Sequence, residues 1–110
     1  MRTVLVLAAV AVFCAACQNS VAVQREAEVF NSIQFDTIPC GELESRRNAL
    51  AAQHGVPANV ERTPQEEFMA PGFGIVLPDG RSEAERARAR AIGEITAMNR
   101  SIQRRNCGAA

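Results

Sequence analysis

The strictest periodicity in the chain lies near its C-terminal end, and it limits what the rest can do. Ser82-Glu83-Ala84-Glu85 has the form of a capping box, in which a Ser hydroxyl and a Glu carboxylate satisfy two N–H groups at the start of a helix. Ala84, Ala87, Ala91, Ile95, Met98 and Ile102 then recur at spacings of 3, 4, 4, 3 and 4, which keeps one apolar face along the segment. The spacing predicts a helix from Glu83 to about Asn106, with Gly108 as its stop. Gly93 costs about 1 kcal/mol relative to Ala in a helix interior, so it marks close packing against a neighbour. Such a one-sided helix needs a cover, and the chain must supply it.

Its means are small. The chain has 110 residues, 47% of them hydrophobic, with five Phe and no Trp or Tyr. That allows a single aliphatic-cored domain and makes a poor stacking surface for bases or sugars. Twelve Arg, no Lys and 12 acids give a formal charge of zero, which argues against nucleic acid as a partner. A second helix is predicted from Thr37 as N-cap, with Pro39 in its first turn, to about His54. There Gly55 can turn left-handed and Val56-Pro57 blocks continuation. Its inner stripe is Cys40, Leu43, Arg46 or Arg47, Leu50 and His54. Between the helices, Thr63-Pro64-Gln65-Glu66 signals a short helix through Met69, and Phe73 to Leu77 is an apolar run between two turn signals. That run reads as core filler, the other reading being an exposed loop that enters a membrane interface or a partner groove. Residues 18–36 carry no clean period and read either as a tether or as a frayed helix over 22–31, with 33–36 alternating like a short strand.

The first residues are an address. Met1-Arg2 supplies one positive charge, and Thr3 to Phe13 is an apolar run of about 11 residues, short of the ~20 a membrane-spanning helix needs. Cys14-Ala15-Ala16-Cys17 follows. Phe13-Cys14-Ala15-Ala16-Cys17 resembles the lipobox of bacterial lipoproteins, departing from it at Cys14, where that family usually carries Leu. The resemblance implies removal of residues 1–16, acylation of Cys17 and a tether over 17–36. Gln18, in place of the Asp that retains such proteins in the inner membrane, implies sorting to the outer membrane. If the segment were cleaved in the ordinary way, the product would be a soluble exported binding protein with an unpaired Cys17.

With Cys14 lost and Cys17 acylated, Cys40 and Cys107 remain as an even pair in an oxidising compartment. An antiparallel hairpin of the two helices brings both to one end, within the ~7 Å between Cα atoms that a disulfide requires. In that register Leu43 faces Ile102, and Leu50 faces Ile95 and Met98. The half of the long helix lined by Ala84, Ala87 and Ala91 is left for Phe68, Phe73, Ile75 and Leu77 to cover. The expected fold is therefore mainly α: an antiparallel helical hairpin over 37–107 stapled by a disulfide, with an irregular apolar connector, a flexible N-terminal tether and a tail at 108–110.

Little in the chain points to catalysis. His54 is the only histidine, and its place in the last turn of a helix is explained by the helix dipole. The pairs Glu42/Glu44, Glu66/Glu67 and Glu83/Glu85 each sit where helix starts favour acids. No spacing suits a metal or a phosphate loop, so no catalytic residue, metal or cofactor is expected. Charge is partitioned, with a balance of +4 from Arg81 onward and −5 over 18–80. The favoured reading is pairing between the two halves, with Glu85/Arg88 and Arg90/Glu94 as surface pairs. The alternative is an anion-facing stripe of Arg86, Arg90, Arg100, Arg104 and Arg105 aimed at the phosphates of lipid or lipopolysaccharide, which with an exposed 73–77 loop would make a membrane-active, toxin-like protein.

Over about 40–107 the plan of a Cys-started helix, a Gly-containing apolar connector and a charged helix ending in Cys is similar to that of small Gram-negative envelope lipoproteins. Those proteins mostly have no assigned activity. The resemblance implies a non-enzymatic accessory or interaction module, bound to the membrane through its lipid, displayed in the periplasm and free to take an envelope protein partner.

Overall fold

The computed structural model describes residues 20–63 and 78–108. They form helix α1 (Val21–Glu26), a 3-10 helix (Ser32–Phe35), helix α2 (Cys40–His54) and helix α3 (Glu83–Arg104). The fold is mainly helical. Ser20 and Pro78 form an isolated antiparallel bridge.

Helix α3 begins as its sequence requires. The Ser82 hydroxyl accepts from the Glu85 N–H at 3.2 Å, and the Glu85 carboxylate accepts from the Ser82 N–H at 2.8 Å. Both long helices end in the same hydrogen-bonded turn. At the end of α2, Gly55 is left-handed with φ 63°, and the Gly55 and Val56 N–H groups donate back to Ala52 and Ala51. At the end of α3, Asn106 takes the left-handed place with φ 51°, and the Asn106 and Cys107 N–H groups donate to Gln103 and Ile102. This is the Schellman pattern, which leaves the residue after the turn free to pack on the helix it closes. Val56 shares a buried cluster with Ala51, and Cys107 packs on the cluster that holds Ile102. Two expected boundaries therefore move. The stop of α3 is Asn106 rather than Gly108, because Asn also tolerates the left-handed region. The N-cap of α2 is Pro39 rather than Thr37, with extended backbone and no side-chain cap.

Helices α2 and α3 run antiparallel. The Cys40–Cys107 disulfide brings their far ends within 5.5 Å between Cα atoms. Arg47 reaches Asn99 one step further in, and Ala51 meets Ile95 beyond that, so the pairing descends along α3 as it climbs α2. Leu43 and Ile95 are fully buried. Leu43 shares a cluster with Met98 and Ile102, while Leu50 packs between it and the second cluster of Ala51, Val56 and Ile95. Beyond this overlap Ala84 and Ala87 are exposed. The expected helix at 63–69 and the apolar run at 73–77 lie outside the described residues.

The N-terminal segment overturns the tether reading over residues 20–36. It lies as a strap on α3. Phe35 is buried in the core beside Leu43, Met98 and Ile102. Further up, the strap crosses α3 at Gly93, where a Cβ would stand 1.8 Å from the Glu28 carbonyl oxygen. The glycine is a notch for the crossing backbone. The alternation at 33–36 is a turn of 3-10 helix and not a strand, because the Asn31 side chain caps it by accepting from the Ile33 N–H at 3.0 Å.

Candidate functional site

Polar side chains clamp the strap at its two ends. At the disulfide end, the Ser101 hydroxyl donates to the Asp36 carboxylate at 2.7 Å, and Arg104 forms an ion pair with the same oxygen. Arg105 donates to the carbonyls of Phe35 and Ile38 at 3.2 and 2.7 Å. The Ser101 hydrogen bond, followed by the Arg104 guanidinium, holds the Asp36 carboxyl below its ordinary value of 3.8. At the other end the buried Glu28 carboxylate stands 2.6 Å from Arg81, which also pairs with Asp79 at 3.1 Å. The Glu28 oxygen lacks directional hydrogen-bond geometry, so this contact is an ion pair. Asp79 is held below the usual carboxylate range by its hydrogen bonds from Arg81, and the same partners raise the Arg81 guanidinium above its usual value.

Where the strap crosses Gly93 a shallow cleft of about 120 Å³ opens, walled by Val29 and Phe30 of the strap, Thr96 and Arg100 of α3, and Arg62. Arg62 is placed by its backbone, whose N–H donates to the Thr96 hydroxyl at 2.8 Å, and that hydroxyl donates to the Ile92 carbonyl. Beside it the Asn99 amide donates to Ala58 and accepts from Arg47, so residues 56–62 are bound to α3 by two buried polar side chains. Among the described residues the guanidinium of Arg62 and that of Arg100 have no carboxylate partner.

The five arginines of the expected stripe do not act together. Arg104 and Arg105 are engaged by the strap, Arg86 is half-buried, and Arg90 and Arg100 are exposed. Ion pairs do join the two halves of the chain, from Arg81 to Glu28 and Asp79 and from Arg104 to Asp36, while Arg105 reaches backbone carbonyls of the strap. Neither expected surface pair forms among the described residues; in the first, the Glu85 carboxylate serves the helix cap instead. Glu28, Asp36, Arg62, Asp79 and Arg81 were not singled out in the sequence. Gly93 signalled the close approach at Glu28, and the opposite charge of the two halves signalled ion pairs between them, but neither could name the partners. His54 is half-buried at the end of α2, and Cys17 lies outside the described residues.

No cluster of three or more His, Cys, Asp or Glu suited to a metal occurs among the described residues, and no helix among them is long and apolar enough to cross a membrane. No protein family, curated protein or solved structure matches the chain.

Proposed function

We propose that this chain is a non-enzymatic lipoprotein of the Gram-negative cell envelope, anchored through acylated Cys17 with its helical domain in the periplasm, where it serves as an accessory or interaction module. The observation that carries the reading is the order of the cysteines. Two stand at a lipobox-like segment, and the other two form the one bond that closes the helical pair. A disulfide between the ends of the domain suits a compartment outside the reducing cytosol. Outer-membrane sorting follows from Gln18 by resemblance to other lipoproteins.

Intact mass of the native protein extracted from the envelope, with and without reductant and alkylation, tests this directly. A mass that begins at Cys17, carries two or three acyl chains and takes up two alkyl groups only after reduction supports the reading. An unacylated mass removes the anchor.

A further inference from the structure

We propose that the outer edge of the strap, Val29 and Ile33 together with Arg100, is a docking face that lies on an anionic phospholipid surface and fixes the orientation of the domain; this rests on the reading that Cys17 carries the anchor. The exposed large hydrophobic residues among the described residues are Val23, Val29 and Ile33, at 44, 62 and 65% exposure, and all three belong to the strap. The other large apolar side chains among the described residues are covered or half-covered. Scattered surface apolar residues need no explanation, but their confinement to one short segment does.

Charge complements this edge. Arg100 is exposed and shares the cleft with Val29 and Phe30, and Arg62 stands on its other wall. The neighbouring carboxylates are already engaged, Glu28 by Arg81 and Asp36 by Arg104. Glu26 is exposed on the strap beside Arg25, and Glu61 is exposed beside Arg62, so each pair offsets itself and leaves Arg100 as the positive charge of this edge. An apolar edge with an unpaired guanidinium beside it matches the boundary between acyl chains and anionic headgroups.

Chain length fixes which partner is near. Only two residues, Gln18 and Asn19, separate Cys17 from Ser20, so an acyl anchor at Cys17 holds the start of the strap within about 10 Å of the headgroups. Two or three apolar side chains and one surplus cation are too few to hold a free protein on a bilayer. Once the anchor makes contact intramolecular, they suffice to choose its orientation.

The chain has no Trp, so Ile33→Trp supplies a single emitter at the edge. The acylated Ile33→Trp protein is reconstituted in vesicles of phosphatidylglycerol with phosphatidylcholine and, separately, of phosphatidylcholine alone. The expected result is blue-shifted emission quenched by acyl-brominated lipid, stronger with phosphatidylglycerol. Gln53→Trp, exposed on α2, is expected to emit as in water. Adding Arg100→Gln shifts the ratio of docked to undocked protein about fivefold toward undocked, the worth of one cation near an anionic surface. Should Ile33→Trp fail to give a helical circular-dichroism spectrum, Val29→Trp takes its place. Acylated protein whose edge Trp emits as in water overturns the docking face alone, whereas a sample whose mass shows no acyl chain overturns the anchor and the face together.

Discussion

Two residues decide whether the strap stays in place. Ala normally stabilises a helix interior over Gly by about 1 kcal/mol. At Gly93 the sign reverses, because the added Cβ would stand 1.8 Å from the Glu28 carbonyl oxygen, and backbone cannot swing aside as a flexible side chain can. Gly93→Ala is expected to cost about 1–3 kcal/mol, the range of overpacking, read as a lower urea midpoint and faster amide exchange over 20–36. Gly41→Ala is the control, since nothing lies within 4 Å of its added Cβ, and it should gain up to about 1 kcal/mol. A neutral or stabilising Gly93→Ala would mean that the strap does not cross there. At the lower clamp, Ser101 and Arg104 hold the Asp36 carboxyl below 3.8, so the unfolded chain takes up its proton more readily than the folded one. Stability from this group is therefore complete above about pH 4 and is lost as pH falls through the lower folded value. Urea midpoints should decline in that acid range, and Asp36→Asn should be less stable at neutral pH with a shallower acid decline. An unchanged acid decline in Asp36→Asn would assign it to other carboxylates, Asp79 first.

Among the elements, α3 organises the rest through side chains that are polar yet buried. Thr96 and Asn99 sit on its inner face at 4 and 7% exposure and hold the 56–62 segment by hydrogen bonds. Removing either partner leaves a backbone group unsatisfied in a buried place, at a cost of about 1–3 kcal/mol. Thr96→Val and Asn99→Ala should each lose that much and accelerate amide exchange at Val60 and Arg62. Ser82→Ala should lose about 1 kcal/mol through the cap alone and leave 56–62 protected. Equal loss of protection in all three variants would show that the helix unravels as one unit. Helix α3, the span of α2 and the facing of Leu43 on Ile102 were legible in the sequence because each rests on a local signal: a capping box, a repeat or a glycine stop. The strap was not legible. Its apolar residues follow no single period, since Phe35 is buried in the core while Phe30 packs on it half-buried and Val29 and Ile33 stay exposed, and the rest of its hold comes from a glycine notch and from ion pairs and hydrogen bonds distant in sequence. The stop of α3 was misplaced for a related reason, as Asn106 competes with Gly108 for the left-handed turn and the contact of Cys107 with Ile102 decides between them.

At the scale of the whole molecule the disulfide and the lower strap clamp form one device. Cys40 and Cys107 close a separation of 67 residues, which removes roughly 4 kcal/mol of chain entropy from the unfolded state. Net stabilities of domains this size are about 5–15 kcal/mol, and the buried apolar residues of this core include three alanines, so the bond is a large fraction of the whole. It also closes the end where Ser101, Arg104 and Arg105 grip Asp36, Phe35 and Ile38, and Cys107 itself packs on the cluster that receives Phe35. Opening the bond should therefore loosen strap and hairpin together at that end first, while the contacts of Asn99 and Thr96 hold longer. The Cys40→Ala/Cys107→Ala protein is expected to melt roughly 15–30 °C below the oxidised form, at 4–8 °C per kcal/mol for a domain of this size. Amide exchange should rise earliest over 36–43 and 101–107. A drop of only a few degrees would show that the helices and the strap hold each other without the bond.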